Sequence, residues 1–350
     1  MRLTAFFHPL ATLASVTMLA ALSLAGCGGT TPARPDAGTQ PPLSSSAPPV
    51  RIGIALGGGA AKGFAHIGVI KMLEANGFAP AVVSGTSAGS VVGSLYASGM
   101  NAFEMQEKAV ALDETKIRDL QLSSGGLVLG QKLEDYVNEQ VRRKPLEQMT
   151  KPFVVVATRL EDGERTVFAR GNTGQAVRAS SSVPGVFQPV TIGKYHFVDG
   201  GIVSPVPVDA ARQLGADIVI AVDISNKARG QTPGDMLGTL GQSIAIMGQK
   251  LGQAELARAD VIIRPQVLDI GSADFSQRAN VILEGEKAAL AVMPQIRERV
   301  AQLQAERANA ARAAQQKAAE AQYQTCLEKR SSLQKLAGMA RLDDSCTAPK

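Results

Sequence analysis

The stretch Val82-Val83-Ser84-Gly85-Thr86-Ser87-Ala88-Gly89-Ser90 constrains this chain more than any other. An apolar, β-type run breaks at a glycine and passes at once into small residues that can open a helix. A G-x-S-x-G turn of this kind reverses a strand sharply into a helix, so the residues beside the serine must be small and Ser87 is pushed out with its hydroxyl exposed. Gly85 and Gly89 meet that need. The helix N-terminus behind Ser87 adds partial positive charge where an oxyanion would form. A glycine-rich turn without chemistry has the same pattern, so the elbow means catalysis only if the rest of the chain supplies partners for it.

The first partner lies one strand earlier. Val50-Arg51-Ile52-Gly53-Ile54-Ala55-Leu56 reads as a strand, and Gly57-Gly58-Gly59-Ala60-Ala61-Lys62-Gly63 leads from it into a helical pattern that Asn76-Gly77 stops. Strand, glycine loop and helix form an anion cradle, because bare backbone N–H groups and the helix dipole both favour negative charge. A dinucleotide site would need G-x-G-x-x-G and an acid some twenty residues on; counted from Gly57, Lys62 takes the last glycine position and residues 79–84 contain no acid. A phosphate-binding P-loop needs Gly-Lys-Ser/Thr, and here Lys62 precedes Gly63. An oxyanion hole remains, and it alone accounts for the serine elbow that follows.

The serine also needs a proton acceptor. Tyr195-His196-Phe197-Val198-Asp199-Gly200-Gly201 carries a carboxylate to the end of a strand. Taken alone, Asp199 is a turn former, since Asp-Gly is a strong hairpin signal. The histidine candidates are His66 and His196. His66 falls one turn into the helix after the glycine loop, where packing is the ordinary role. His196 stands three residues before Asp199 on one strand, so alternation points the two to opposite faces. No H-E-x-x-H or paired C-x-x-C occurs, and nothing calls for a metal or another cofactor.

With 350 residues, 45% of them hydrophobic, the chain can bury a large α/β core. Its formal charge of +5 is spread along the sequence with no basic cluster among aromatics, which excludes nucleic acid as the expected partner. Residues 1–26 read as an export signal with an apolar stretch too short and too rich in Ala and Ser to span a membrane. Leu24-Ala25-Gly26-Cys27 resembles a bacterial lipobox, which implies lipidation of Cys27, and Gly28 after the cysteine matches the enterobacterial pattern for the outer membrane. The expected location is therefore the bacterial cell envelope, lipid-anchored at the outer membrane and facing the periplasm. Residues 27–49, rich in Ser, Pro, Thr and Gly, read as a disordered tether.

Past the elbow helix, helices are expected over 102–111, 131–142 and 176–181, a strand over 153–158 with a hairpin partner over 165–169, and buried strands over 218–222 and 261–263. The folded domain is expected over 50–300. From about residue 301 the composition shifts to Ala, Gln, Glu, Lys and Arg, and residues 301–350 read as an exposed helical tail outside the catalytic core. Cys326 and Cys346 either close a disulfide in an oxidising compartment or remain two unrelated thiols.

The glycine loop, Gly85-Thr86-Ser87-Ala88-Gly89 and Asp199-Gly200-Gly201, in this order, resemble the patatin-like phospholipase family, particularly bacterial members. Phe64-Ala65-His66-Ile67-Gly68-Val69-Ile70 and Arg178-Ala179-Ser180-Ser181-Ser182-Val183-Pro184-Gly185-Val186-Phe187 extend the likeness. The resemblance implies a three-layer α/β/α sandwich and hydrolysis of acyl esters of phospholipids or lysophospholipids by a Ser87–Asp199 dyad. It implies oxyanion donors from the backbone of Gly57, Gly58 and Gly59, and gives Lys62 a supporting electrostatic role and Gly85, Gly89, Gly200 and Gly201 the close turns. Ala60 departs from the pattern, since many members carry a further glycine there. A serine thioesterase or peptidase would use the same elements. A non-catalytic lipoprotein that binds a protein partner through its tail is the third reading.

Overall fold

The computed structural model describes residues 48–117, 119–123, 126–225, 234–337, 346 and 348. The expected leader, Cys27 and all of the tether before Pro48 lie outside the described residues. In chain order the strands and helices are β1 (Ile52–Leu56), α1 (Phe64–Ala75), β2 (Val82–Thr86), α2 (Ala88–Ala97), α3 (Ala102–Val110), β3 (Leu120–Ser123), β4 (Gly126–Val128), α4 (Gln131–Gln140) and β5 (Phe153–Arg159). There follow β6 (Arg165–Phe168), α5 (Thr173–Ser180), β7 (Val190–Ile192), β8 (Tyr195–Asp199), α6 (Val208–Gln213), β9 (Ile218–Val222), α7 (Met236–Leu256), β10 (Val261–Ile263) and α8 (Arg278–Ala337).

The main sheet runs in the order β10-β9-β1-β2-β5-β8-β7, with β6 also paired to β5, while β3 and β4 form a separate ribbon. The pairs from β10 to β5 are parallel. β1, β2 and β9 are buried along their whole length, as parallel strands covered on both faces must be. Period-two alternation splits their side chains between two cores. Ile52, Ile54, Leu56, Val83, Val155, Ile220 and Val222 face one core, completed by α1 to α5 and α8. Ala55, Val82, Val219 and Ala221 face the other, with residues of α6 and Leu256 of α7. The molecule is thus a three-layer α/β/α sandwich, the architecture that the motifs implied.

One feature of the register places the site. The first half of β5 pairs with β2, ending at Thr86 opposite Val156. The second half pairs with β8, with Asp199 opposite Ala157. Since β6 pairs with residues of both halves, β2 and β8 must share the other edge of β5. Their C-terminal ends therefore meet head to head at neighbouring residues of β5.

The division expected at residue 300 lies inside α8, which continues unbroken through Pro294 from Arg278 to Ala337. Its first five turns are core: Val281, Ile282, Ala289, Met293 and Ile296 are buried. Beyond residue 300 it is largely exposed, and Arg307 still pairs with Asp217 and donates to the Pro48 carbonyl. The composition changes where the helix leaves the core, not where a helix begins. Cys326 and Cys346 are joined as a disulfide, with Cα atoms 6.0 Å apart.

Helix α8 crosses α1 at van der Waals contact of the backbones. A Cβ added at Gly285 would lie 2.0 Å from the Ala65 carbonyl oxygen, so only glycine permits the crossing. Gly285→Ala is expected to lower unfolding free energy by about 1–3 kcal/mol or more, as overpacking against backbone does. Denaturant unfolding measures this, and an unchanged midpoint would show that the two helices do not cross so closely.

Candidate active site

Ser87 stands between the last residue of β2 and the first of α2, with φ 51° and ψ −124°. A serine holds such a left-handed conformation only when its surroundings enforce it, at about 1–3 kcal/mol. The enforcement is visible. Gly89 passes so close to β1 that a Cβ there would come 2.1 Å from the Leu56 carbonyl oxygen. The Ser87 amide donates to Ser180 Oγ at 2.8 Å, and that hydroxyl donates onward to the Val156 carbonyl at 2.5 Å. Ser90 N–H and its hydroxyl both donate to the Ser87 carbonyl, at 2.8 and 2.6 Å.

Asp199 ends β8 on the adjoining stretch of β5. Its amide donates to the Ser182 carbonyl at 2.9 Å and its carbonyl accepts the Thr158 hydroxyl at 2.8 Å. Oδ1 accepts the Gly201 amide at 2.7 Å, so the residue does act as a turn former. Oδ2 has no hydrogen bond of regular geometry. The carboxyl is 7% exposed, and burial pushes its pKa up to about 6, against the pull of the Ser87 hydroxyl and the Gly201 amide. Ser87 thus stands beside the carboxyl without a closed bond to it, a common condition of catalytic pairs before substrate tightens them. A carboxyl with pKa near 6 can take a proton from a hydroxyl and return it at neutral pH.

The glycine loop abuts this pair, and a Cβ at Gly58 would lie 3.2 Å from Ser87 Cβ. The three expected oxyanion donors are not equivalent. Gly57 N–H donates to the Val222 carbonyl at 3.1 Å and Gly58 N–H to the Pro205 carbonyl at 3.0 Å, which removes both as donors to a substrate. Among the described residues the amides of Gly59 and Ala88 have no acceptor, and they are the donors the site can offer. Ala60 adopts φ 52°, in the left-handed region that a glycine would hold more cheaply. Lys62 is buried in the single turn Ala60–Gly63. Ser87 itself is only 8% exposed, so the elbow does not present its hydroxyl to open solvent as expected. The loop lies against it.

Neither histidine is placed as the base. His66 Nε2 bonds the Gly57 carbonyl at 2.8 Å, so that nitrogen carries the proton and donates. Burial lowers the His66 pKa to about 4 and keeps the ring neutral, where it holds the loop. His196 is exposed and pairs with Glu161 at 2.8 Å. Ser180 and Ser182 stand in the Arg178–Phe187 stretch that extends the likeness, whereas nothing in the local sequence marks Ser204 or Glu255. Among the described residues no cluster of side chains suits a metal ion.

Residues 54–212 match the family model described as patatin-like phospholipase. An NTE-family protein of Mycobacterium tuberculosis is 36% identical over 189 residues, covering 53% of this chain and 52% of its own length. Lysophospholipase NTE1 of Pyricularia oryzae is 25% identical over 279 residues, covering 71% of this chain and 19% of its own. The crystal structure of VipD from Legionella pneumophila is similar with a TM-score of 0.49 and 16% identity, over 71% of this chain and 67% of that one. This chain spans about half the length of the mycobacterial relative.

The raised pKa of Asp199 has a thermodynamic signature. The folded state holds the proton more tightly than the unfolded chain, so this group favours folding below about pH 4 and loses that contribution as pH rises through about 6. At pH 8 the buried charge costs about 3 kcal/mol. Asp199→Asn removes the charge and keeps an acceptor for Gly201. Its stability relative to the unsubstituted protein is expected to grow by about 2–3 kcal/mol between pH 4 and pH 8. Paired unfolding curves at the two pH values measure this, and a pH-independent difference would mean that the carboxyl is not charged in a dry site.

Proposed function

We propose that this member of the patatin-like phospholipase family is a serine acyl hydrolase acting on acyl esters of phospholipids or lysophospholipids. The observation that carries the reading is the meeting of β2 and β8 on one edge of β5, which brings the Ser87 hydroxyl to the Asp199 carboxyl. Ser87 Oγ attacks the ester carbonyl while Asp199 takes its proton. The carbonyl oxygen, now anionic, lies toward the Gly59 and Ala88 amides and the N-terminus of α2. Asp199 returns the proton to the leaving alcohol, leaving an acyl ester on Ser87. Water then repeats the sequence in reverse, with Asp199 again as base, and releases the fatty acid. The chemistry needs no metal or organic cofactor.

The lipid character of the substrate has its own support in α7. Gly248 and Gly252 face Gly201 and Pro205, so the helix packs its small residues against the site. Five of its large apolar residues point outward instead: Met236, Leu240, Ile246, Met247 and Leu251 are 39–82% exposed. No Asp or Glu occurs in this helix before Glu255. An apolar face free of acidic residues and carrying one cation, Lys250, beside an acyl-ester site suits contact with lipid. No helix among the described residues is long and apolar enough to cross a membrane. We assign the attachment to a lipidated Cys27, and the location to the outer membrane of a bacterial envelope, on the Leu24-Ala25-Gly26-Cys27 pattern.

Incubation with defined phospholipids and lysophospholipids, followed by mass spectrometry of the products, tests the activity. The expected result is release of fatty acid that Ser87→Ala abolishes, with a loss on the order of 10⁴-fold or more. Cleavage of thioesters or peptides in place of lipid esters would move the chain to another hydrolase class, and inertness toward all three would leave a binding protein. For the anchor, Cys27→Ser is expected to shift the protein from the membrane fraction to the soluble or unprocessed fraction. Unchanged fractionation would remove the lipoprotein assignment.

A further inference from the structure

One buried carboxylate beside the site has no part in that chemistry. Glu255, near the C-terminal end of α7, is 5% exposed. Both its oxygens are held by one short segment: Oε1 accepts the Ser204 hydroxyl, and Oε2 accepts the Val206 amide at 2.9 Å. The same segment grips both halves of the site. The Ser204 carbonyl accepts the hydroxyl of Thr86, the residue before the nucleophile, at 2.8 Å. The Pro205 carbonyl accepts the Gly58 amide at 3.0 Å. Thr86, Ser204 and Val206 are fully buried, so no water competes for these bonds.

We infer that Glu255 is a positioning residue. By clamping Ser204-Pro205-Val206 it fixes the spacing between the Ser87 turn and the glycine loop, and with it the distance from the attacking oxygen to the oxyanion donors. The inference rests on the reading of Ser87 as the nucleophile. Any buried carboxylate needs a donor for each oxygen, so the number of partners does not by itself mark a role; their place in the chain does. This one ties a single segment at two points, and the segment touches both working parts.

The clamp is sensitive to charge. A carboxylate accepts both donors with its full charge, whereas in the neutral acid one oxygen carries a proton that the Ser204 hydroxyl must turn to accept, and the charge assistance is lost. Hydrogen bonds to a charged acceptor are about twice as strong as neutral ones. The charged groups around Glu255 are Arg165 on β6, Asp209 on α6 and Arg258 just past the end of α7, with Asp209 bridging the two arginines at 3.6 and 2.7 Å. Burial raises the Glu255 pKa to about 7, against the Ser204 and Val206 donors and Arg165. The clamp is therefore tight above pH 7 and loosens as pH falls, one step above the titration of Asp199.

The full chain with Glu255→Gln or Glu255→Ala tests this, with turnover of a water-soluble p-nitrophenyl ester from pH 5 to 9 beside thermal unfolding. Amide hydrogen exchange at Gly58 and Val206 supplies a readout that does not depend on turnover. At pH 8, Glu255→Gln is expected to lose about tenfold to a hundredfold in kcat at nearly constant KM, the usual effect of a slight misplacement. Its pH profile should lack the limb near pH 7 and keep the one near pH 6. Glu255→Ala should be slower still and exchange faster at both amides. A Glu255→Gln protein with normal kcat and an intact limb near pH 7 would overturn the inference, as would normal Gly58 protection in folded Glu255→Ala. If the unsubstituted protein neither hydrolyses the ester nor reacts with a fluorophosphonate, the Ser87 reading fails, and Gly58 exchange still decides whether the clamp exists.

Discussion

The site depends on one backbone constraint, the sharing of a single edge of β5 by two strands that arrive from opposite directions. β2 comes up in parallel and stops at Val156; β8 comes down antiparallel and stops at Ala157. Each strand end is followed by a turn tight enough to avoid the other, at Ser87 and at Asp199-Gly200-Gly201. Hydrogen-bond register fixes strand ends to within a fraction of a residue spacing, about 3.3 Å. Two side chains from positions 112 residues apart in sequence are thereby set against each other without a flexible loop between them. The parallel core supplies the rigidity, because β1, β2, β5 and β9 are buried on both faces.

In the proposed mechanism, burial decides the chemistry. In water Asp199 would be too weak a base to matter and Ser87 too poor a nucleophile. In the dry site the carboxyl charge is held at a loss to stability, which is what lets it attract a proton near neutral pH. His66 shows the same environment acting on the opposite charge type: its pKa is lowered to about 4, and the ring is left as a neutral donor bracing the glycine loop. Glu255 extends the arrangement behind the loop. The strain at Ser87 and Ala60 belongs to this pattern of a site that the surrounding fold stabilises at its own expense.

Much of this was legible in the sequence because it is encoded locally. The elbow, the glycine loop and the buried strands each follow from a handful of adjacent residues. Asp199 was legible from its own stretch only as a turn former, and that reading is also true, since one of its oxygens caps the turn while the carboxyl also meets the Ser87 hydroxyl. The rest depends on distant partners. The amides of Gly57 and Gly58 cannot be judged without knowing that Val222 and Pro205 lie beside them. Glu255 meets Ser204 across 51 positions of chain and carries no motif of its own. The extent of α8 was misjudged because composition reports exposure: the helix starts at Arg278 inside the core and changes character only on leaving it.

The most direct measurement is a crystal structure of the protein after reaction with a long-chain alkyl fluorophosphonate. The phosphonate should be bonded to Ser87 Oγ, with its oxygen about 2.7–3.1 Å from the Gly59 and Ala88 amides, Asp199 Oδ2 beside the bonded Oγ, and Gly57 and Gly58 still donating to Val222 and Pro205. A phosphonate bonded to another residue, or one on Ser87 whose oxygen turns away from Gly59, would contradict the account.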